Sequence, residues 1–168
     1  MKQLYASLIA VFFLLPLSAA AGGVPWGEPN NTSGRFIVLS SYNNQAVFDS
    51  ETGLVWEQSP STLLVESGSA TFNCIDLNVG GRTGWRLPTM QELMSLVDRS
   101  VSFPGPTLPS GHPFSNVQSQ FYWSASTLAN FPTIAWVADF GFGHVGTALK
   151  SSSHFVWCVR GGQGVDPQ

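Results

Sequence analysis

Trp85-Arg86-Leu87-Pro88-Thr89-Met90-Gln91-Glu92-Leu93 carries the strongest structural signal in the chain. Pro88 holds the incoming backbone extended, because its ring disfavours helical geometry in the residue before it. Thr89 and Glu92 have capping-box spacing, in which each side chain takes a backbone N–H that a helix start leaves unpaired. Leu93, Leu96 and Val97 then recur at helical spacing up to Asp98. The stretch predicts a helix entered at Thr89 that packs a leucine-rich face on a core.

Working upstream, Ser69 to Asn78 places Phe72, Cys74, Ile75 and Leu77 where a second short helix would use them, with Gly80-Gly81 as its stop. Cys74 would face the core from that helix. Earlier still, Arg35 to Ser40 and Ala46 to Asp49 have strand character. The turn Asp49-Ser50-Glu51-Thr52-Gly53 leads into Leu54 to Glu57, a hairpin in which Gly53 supplies a positive φ. Downstream, Val101 to Gln120 carries Pro104, Pro106, Pro109 and Pro113, too broken for a regular element; a loop of that length is either functional or mobile. Phe121 to Ser126, Ile134 to Phe140, Val145 to Ala148 and Phe155 to Arg160 read as strands, with turns at Gly141-Phe142-Gly143 and Ser151-Ser152-Ser153. The pattern is α+β: two short helices and a mostly antiparallel sheet.

At the N-terminus, Met1 to Ala21 has the parts of a secretory signal: Lys2, an apolar run from Leu8 to Leu17, and small residues at Ser18 to Ala21. The mature chain is expected to begin near Ala21 or Gly22. The apolar run is shorter than the roughly 20 residues that span a bilayer, and no other segment approaches that length. No cysteine sits at the cleavage point to carry a lipid. Residues 22–34 read as a Gly-, Pro- and Asn-rich leader, 35–162 as one folded domain, and 163–168 as a tail. Without Lys2 the seven basic residues fall to six against ten acidic ones, a formal charge of 6 − 10 = −4. That balance offers no field to attract nucleic acid or another polyanion.

Two cysteines in an exported chain favour a disulfide over free thiols or a metal site. A bridge would close 158 − 74 = 84 positions. The chain-entropy account credits such a loop with roughly 4 to 5 kcal/mol, as a ceiling.

Motifs that could carry chemistry each have a plainer reading. Gly141-Phe142-Gly143-His144-Val145-Gly146 matches GxGxxG, but the residues after it are β-branched and serine-rich, and no acid follows about 20 positions on for a ribose. A hairpin turn is expected instead. Glu28-Pro29-Asn30 spells a tripeptide of calcium-dependent sugar-binding sites, yet it lies in the leader with no Trp-Asn-Asp to complete the ligand set. His112, His144 and His154 have no second His or Cys at metal-ligand spacing. No GxSxG supplies a nucleophile. Trp56, Trp85, Trp123, Trp136 and Trp157 sit in apolar contexts and are expected in the core, whereas Trp26 falls in the leader.

Taken in order, Gly53-Leu54-Val55-Trp56-Glu57, Cys74, the WRLPTMQEL run, Tyr122-Trp123-Ser124-Ala125-Ser126, Ala135-Trp136-Val137 with Asp139-Phe140, and Cys158-Val159-Arg160-Gly161-Gly162 resemble the Lcl C-terminal domain family, named for a collagen-like bacterial adhesin. The resemblance spans roughly Phe36 to Gly162. It implies a C-type-lectin-like fold, distantly like the formylglycine-generating enzymes, with the helix cysteine Cys74 paired to Cys158 on a late strand. It also implies surface attachment and glycan binding. The chain departs from the adhesin in having no collagen-like stretch, and from the enzymes in having only one late cysteine.

Together these readings predict an exported, non-catalytic module, periplasmic, cell-surface or extracellular, that binds a glycan or a cell-surface protein. Contacts are expected on the loops Ser102 to Gln120, Thr127 to Thr133 and Gly141 to His154, because scaffolds present function on loops. His112, Asn116, Asn130, His144 and Lys150 are the candidate ligand-binding residues. No cofactor is implied, calcium is left open, and so is a homo-oligomer. Alternatives are an envelope structural or interaction subunit, and an oxidase relative with a reactive Cys158.

Overall fold

The computed structural model describes residues 34–162. The signal and leader readings up to residue 33, including Glu28-Pro29-Asn30 and Trp26, and the tail lie outside the described residues. Nine strands and two α-helices follow one another as β1 Phe36–Val38, β2 Ala46–Asp49, β3 Leu54–Glu57, β4 Ser61–Val65, α1 Ser67–Ile75, α2 Met90–Ser95, β5 Phe121–Thr127, β6 Ile134–Asp139, β7 His144–Leu149, β8 His154–Val156 and β9 Val159–Arg160. The fold is α+β. One sheet has the order β1-β2-β3-β9 and the other β4-β8-β5-β6-β7. All pairings are antiparallel except β5 with β8, where Tyr122 lies beside Phe155.

The hairpin of β2 and β3 forms as expected, with Gly53 at φ 72°. Asp49 in its turn is fully buried, because Arg35 bonds both its carboxylate oxygens at 2.9 and 2.8 Å. The capping box of α2 is also present: Thr89 Oγ1 accepts from Glu92 N at 3.2 Å, and Glu92 Oε2 accepts from Thr89 N at 2.8 Å. The helix closes at Ser95 rather than Asp98, so Leu96 and Val97 fill the core from just beyond it.

Three expectations are corrected. Ser61–Val65 is a strand that the sequence did not announce; it is the edge of the larger sheet and exposes four of its five residues, so no apolar alternation marks it. Helix α1 runs from Ser67 to Ile75, and its buried face is Ser67, Ala70 and Cys74, small residues at helical spacing, while Phe72 and Ile75 point outward. Gly80-Gly81 does not stop it; those glycines turn the short bridge between Val79 and Arg82. Finally, Phe155 to Arg160 is not one strand. It crosses between sheets at Trp157-Cys158, with β8 in the larger sheet and β9 in the smaller.

That crossing divides the core by simple alternation. Successive side chains of a strand point to opposite faces, and here Trp157 and Val159 enter one cluster with Trp56, Leu93, Tyr122 and Phe140. Val156 and Cys158 enter the other, with Tyr42, Ala70, Cys74, Trp85 and Trp123. Cys158 is bridged to Cys74, joining α1 to the crossing. Trp56, Trp85, Trp123 and Trp157 are buried as expected, whereas Trp136 is only partly covered. Indole N–H groups of Trp85, Trp123 and Trp157 bond the carbonyls of Arg82, Val65 and Glu57.

The WRLPT and CVRGG motifs meet. Arg86 and Val159 exchange two backbone hydrogen bonds of 2.9 Å. The Arg86 guanidinium then bonds the Glu92 carboxylate and the Gly161 carbonyl, each at 2.6 Å from Nη2. Gly162 closes this contact at φ 65°. A Cβ there would sit 2.8 to 2.9 Å from Leu54, Arg86 and Glu92 side-chain atoms.

Candidate functional site

The five sequence candidates occupy three places. His144 begins β7 opposite Asp139, and Lys150 follows its other end, so about six residues of strand, roughly 20 Å, separate them. Lys150 and Asn130 belong to the far end of the hairpin. There Lys150 N donates to the Thr133 carbonyl, its Nζ to Thr127 Oγ1 at 2.9 Å, and Asn130 sits at φ 66° in the turn before β6. His112 and Asn116 share the long loop. His112 Nδ1 accepts from Phe114 N at 3.2 Å, its ring stacks on Phe114, and burial pushes its pKa down. Asn116 bonds Ser59 Oγ at 2.8 Å.

The long loop is pinned to the body rather than standing off it. Thr107, Leu108 and Phe114 are buried, and Thr107 bonds the Phe140 carbonyl through both its N–H and its hydroxyl. This brings Phe103 beside Phe142, the middle residue of the β6–β7 turn. Their rings stack with centroids 4.5 Å apart, and both side chains are 62% exposed. Asp139 shapes that turn: its Oδ1 accepts from Gly141 N at 2.7 Å, which makes the glycine-rich run a hairpin turn, as expected. His144 lies against Phe142 and Phe121, with Nε2 3.6 Å from Asp139 Oδ2. His154 lies on Phe121 as well, but its partly buried ring is pushed towards the neutral form by desolvation. Phe103, Phe142 and His144 thus form one exposed aromatic face drawn from two of the three expected loops. Sequence reading passed over the two phenylalanines because nothing local distinguishes an exposed Phe from a core one.

A separate concavity lies where β2, β3 and the chain after α1 meet. A cleft of about 320 Å³ is lined by Gln45, Glu57, Gln58, Ser59, Asn78 and Val79. Glu57 is 8% exposed, its Oε2 accepts from Cys158 N at 2.7 Å, and burial raises its pKa to about 7. Among the described residues no three His, Cys, Asp or Glu side chains converge as a metal would need, and no helix is long and apolar enough to cross a membrane.

The sequence profile of the Lcl C-terminal domain matches residues 45–160, well over half of the chain. The protein belongs to the Lcl C-terminal domain family. The match begins just before β2 and ends with β9, so it takes in the WRLPT motif, the Cys158-Val159-Arg160 start of the CVRGG motif, both cysteines and the whole of the larger sheet. Comparison with curated proteins gave no match. Within this Lcl C-terminal domain, the contact of WRLPT with CVRGG gives those motifs a structural role: they fasten α2 to the last strand.

Proposed function

We propose that this protein is an exported, non-catalytic binding module that recognises glycan through the aromatic face of Phe103, Phe142 and His144. The stacked and exposed Phe103–Phe142 pair carries the reading. Burying two phenylalanines is favourable by roughly 1.5 to 3 kcal/mol each, so their joint exposure beside a polar imidazole calls for a ligand. The apolar face of a sugar ring stacks on such a surface, while His144 offers a donor or acceptor to its hydroxyls. Export is supported by the secretory signal and by a disulfide that suits an oxidising compartment. A non-catalytic role is supported by the pairing of Cys158, which leaves no thiol for oxidase-type chemistry.

A glycan array probed with the mature domain tests this. Binding is expected for wild type and at least a tenfold loss for the Phe103→Ala/Phe142→Ala double variant, with thermal stability unchanged. Equal binding by the variant, or no glycan bound by wild type, overturns the reading.

The alternative of an envelope interaction subunit draws on a different region. Leu63 and Leu64 on the edge strand β4, and Phe72 and Ile75 on α1, are all more than half exposed. Cross-linking in the envelope followed by mass spectrometry distinguishes it: protein adducts mapping to residues 61–75, with no glycan binding, favour a subunit.

A further inference from the structure

The cleft below β3 holds an acid with no cation beside it among the described residues. Glu57 forms part of its wall, and one carboxylate oxygen is held by the Cys158 N–H. Its other oxygen is open to the cleft; it accepts no hydrogen bond from the described residues, and no Lys, Arg or His among them pairs with it. Buried carboxylates are ordinarily paired with a cation or fully hydrogen-bonded, because the desolvation of an isolated charge is costly. Beyond the Cys158 N–H, the neighbours offer the acid no charged partner. Ala46 of β2 and the Trp157-Cys158 crossing beside it are apolar or non-titrating, and Gln45, Gln58, Ser59 and Asn78 are neutral.

We propose that this cleft binds the ammonium group of a lysine on a partner polypeptide, with Glu57 as its counter-ion and the surrounding amides bonding the adjacent peptide. The chemistry of the lining points this way. A single carboxylate without a neighbouring cation accepts a positive group and repels an anionic one, which agrees with the absence of any basic lining residue. Gln45 Oε1 already accepts from Gly80 N, and the Gln58 amide bonds the Pro113 carbonyl and the Ser115 hydroxyl, so the Asn78 amide and Gln45 Nε2 supply the donors and acceptor that complement peptide N–H and C=O groups. The volume of about 320 Å³ lies at the small end of ligand sites, which run roughly 300 to 1,000 Å³, and suits one side chain rather than a whole chain. The site is independent of the aromatic face, and neither reading requires the other.

Lysine keeps its charge up to about pH 10, so the pH dependence of binding reports Glu57. Tyr122, the titratable group in electrostatic contact with Glu57, leaves the window near 7 clear, because burial pushes its phenol far up. The probe is a capped glycyl-lysyl-glycine tripeptide, titrated into the whole mature protein while the side-chain amide resonances of Gln45, Gln58 and Asn78 are followed by NMR. Between pH 5.5 and 8.5 the ionised fraction of an acid titrating at about 7 rises from about 3% to about 97%, so apparent affinity should rise about 30-fold. The same tripeptide with its lysine acetylated should not bind. Glu57→Gln should abolish binding at pH 8.5 while giving a folded, dispersed spectrum, and Phe103→Ala/Phe142→Ala should leave it unchanged. Binding that ignores pH, equal binding of the acetylated probe, retention in Glu57→Gln, or no binding at any pH overturns the proposal. A negative glycan array leaves these outcomes unaffected, so the two readings fail separately.

Discussion

Replacing Glu57 with glutamine should stabilise the protein above neutral pH while leaving it unchanged in acid. Burial raises the Glu57 pKa from 4.5 to about 7. Below 4.5 the carboxyl is protonated in both folded and unfolded chains, and the folded state carries no penalty. Between 4.5 and about 7 the unfolded chain releases the proton while the folded one keeps it, so stability falls as pH rises. Above 7 the deficit is constant, at about 3 kcal/mol for this displacement. Glutamine can accept the Cys158 N–H as the carboxylate does and never ionises. Urea unfolding of wild type and Glu57→Gln at pH 4, 5.5, 7 and 8.5 isolates the effect, since all other titrations cancel in the difference. The difference should grow from near zero to about 3 kcal/mol in favour of the variant, on the order of 10 °C in Tm. A difference that stays flat with pH, or a variant that becomes relatively weaker as pH rises, would refute the reasoning, because either result means the ionised carboxylate is compensated inside the folded chain.

Other perturbations test the frame around the site. Reducing the Cys74–Cys158 bridge, or replacing both residues with serine, should lower unfolding free energy by up to about 4 to 5 kcal/mol, measured by denaturant titration with and without reductant. Thr89→Ala should cost about 1 kcal/mol, because α2 loses the oxygen that accepts from Glu92 N. Gly162→Ala should cost more, about 1 to 3 kcal/mol, since its Cβ would press on the Arg86–Glu92 pair at positive φ. Calorimetry of the two variants side by side ranks them, and an unchanged Tm for Gly162→Ala would remove the argument that CVRGG is shaped by that contact.

Much of the frame was legible along the chain. The capping box of Thr89 and Glu92, the Gly53 turn and the 141–143 turn depend on hydrogen bonds or dihedrals within a few residues, so local order reveals them. β5, β6 and β7 were visible through their apolar content, and the likeness to the Lcl C-terminal domain stood on motifs whose spacing the fold preserves. Misreadings arose where burial is decided by a distant neighbour. Phe72 and Ile75 look like a helix core face, yet the partner surface admits only Ser67, Ala70 and Cys74. β4 is an edge strand with little to bury, and the crossing at Trp157-Cys158 has the same alternation as an unbroken strand.

The candidate sites divide in the same way. Polar loop residues could be picked out by type, and His144 proved to lie at the aromatic face while Asn116 reaches a residue of the cleft. Neither surface was visible as a surface. Phe103 meets Phe142 across 142 − 103 = 39 positions because Thr107 ties the long loop to Phe140. Glu57 sits in an unremarkable strand sequence, and its unpaired, buried state exists only once Cys158 and the segments at Gln45 and Asn78 close around it. Sequence order suffices for turns, caps and strand character, since those follow from interactions between near neighbours. Which side chains remain exposed together, and which charge is left without a partner, depends on contacts between segments far apart in the chain, and those come into being with the packing of the two sheets.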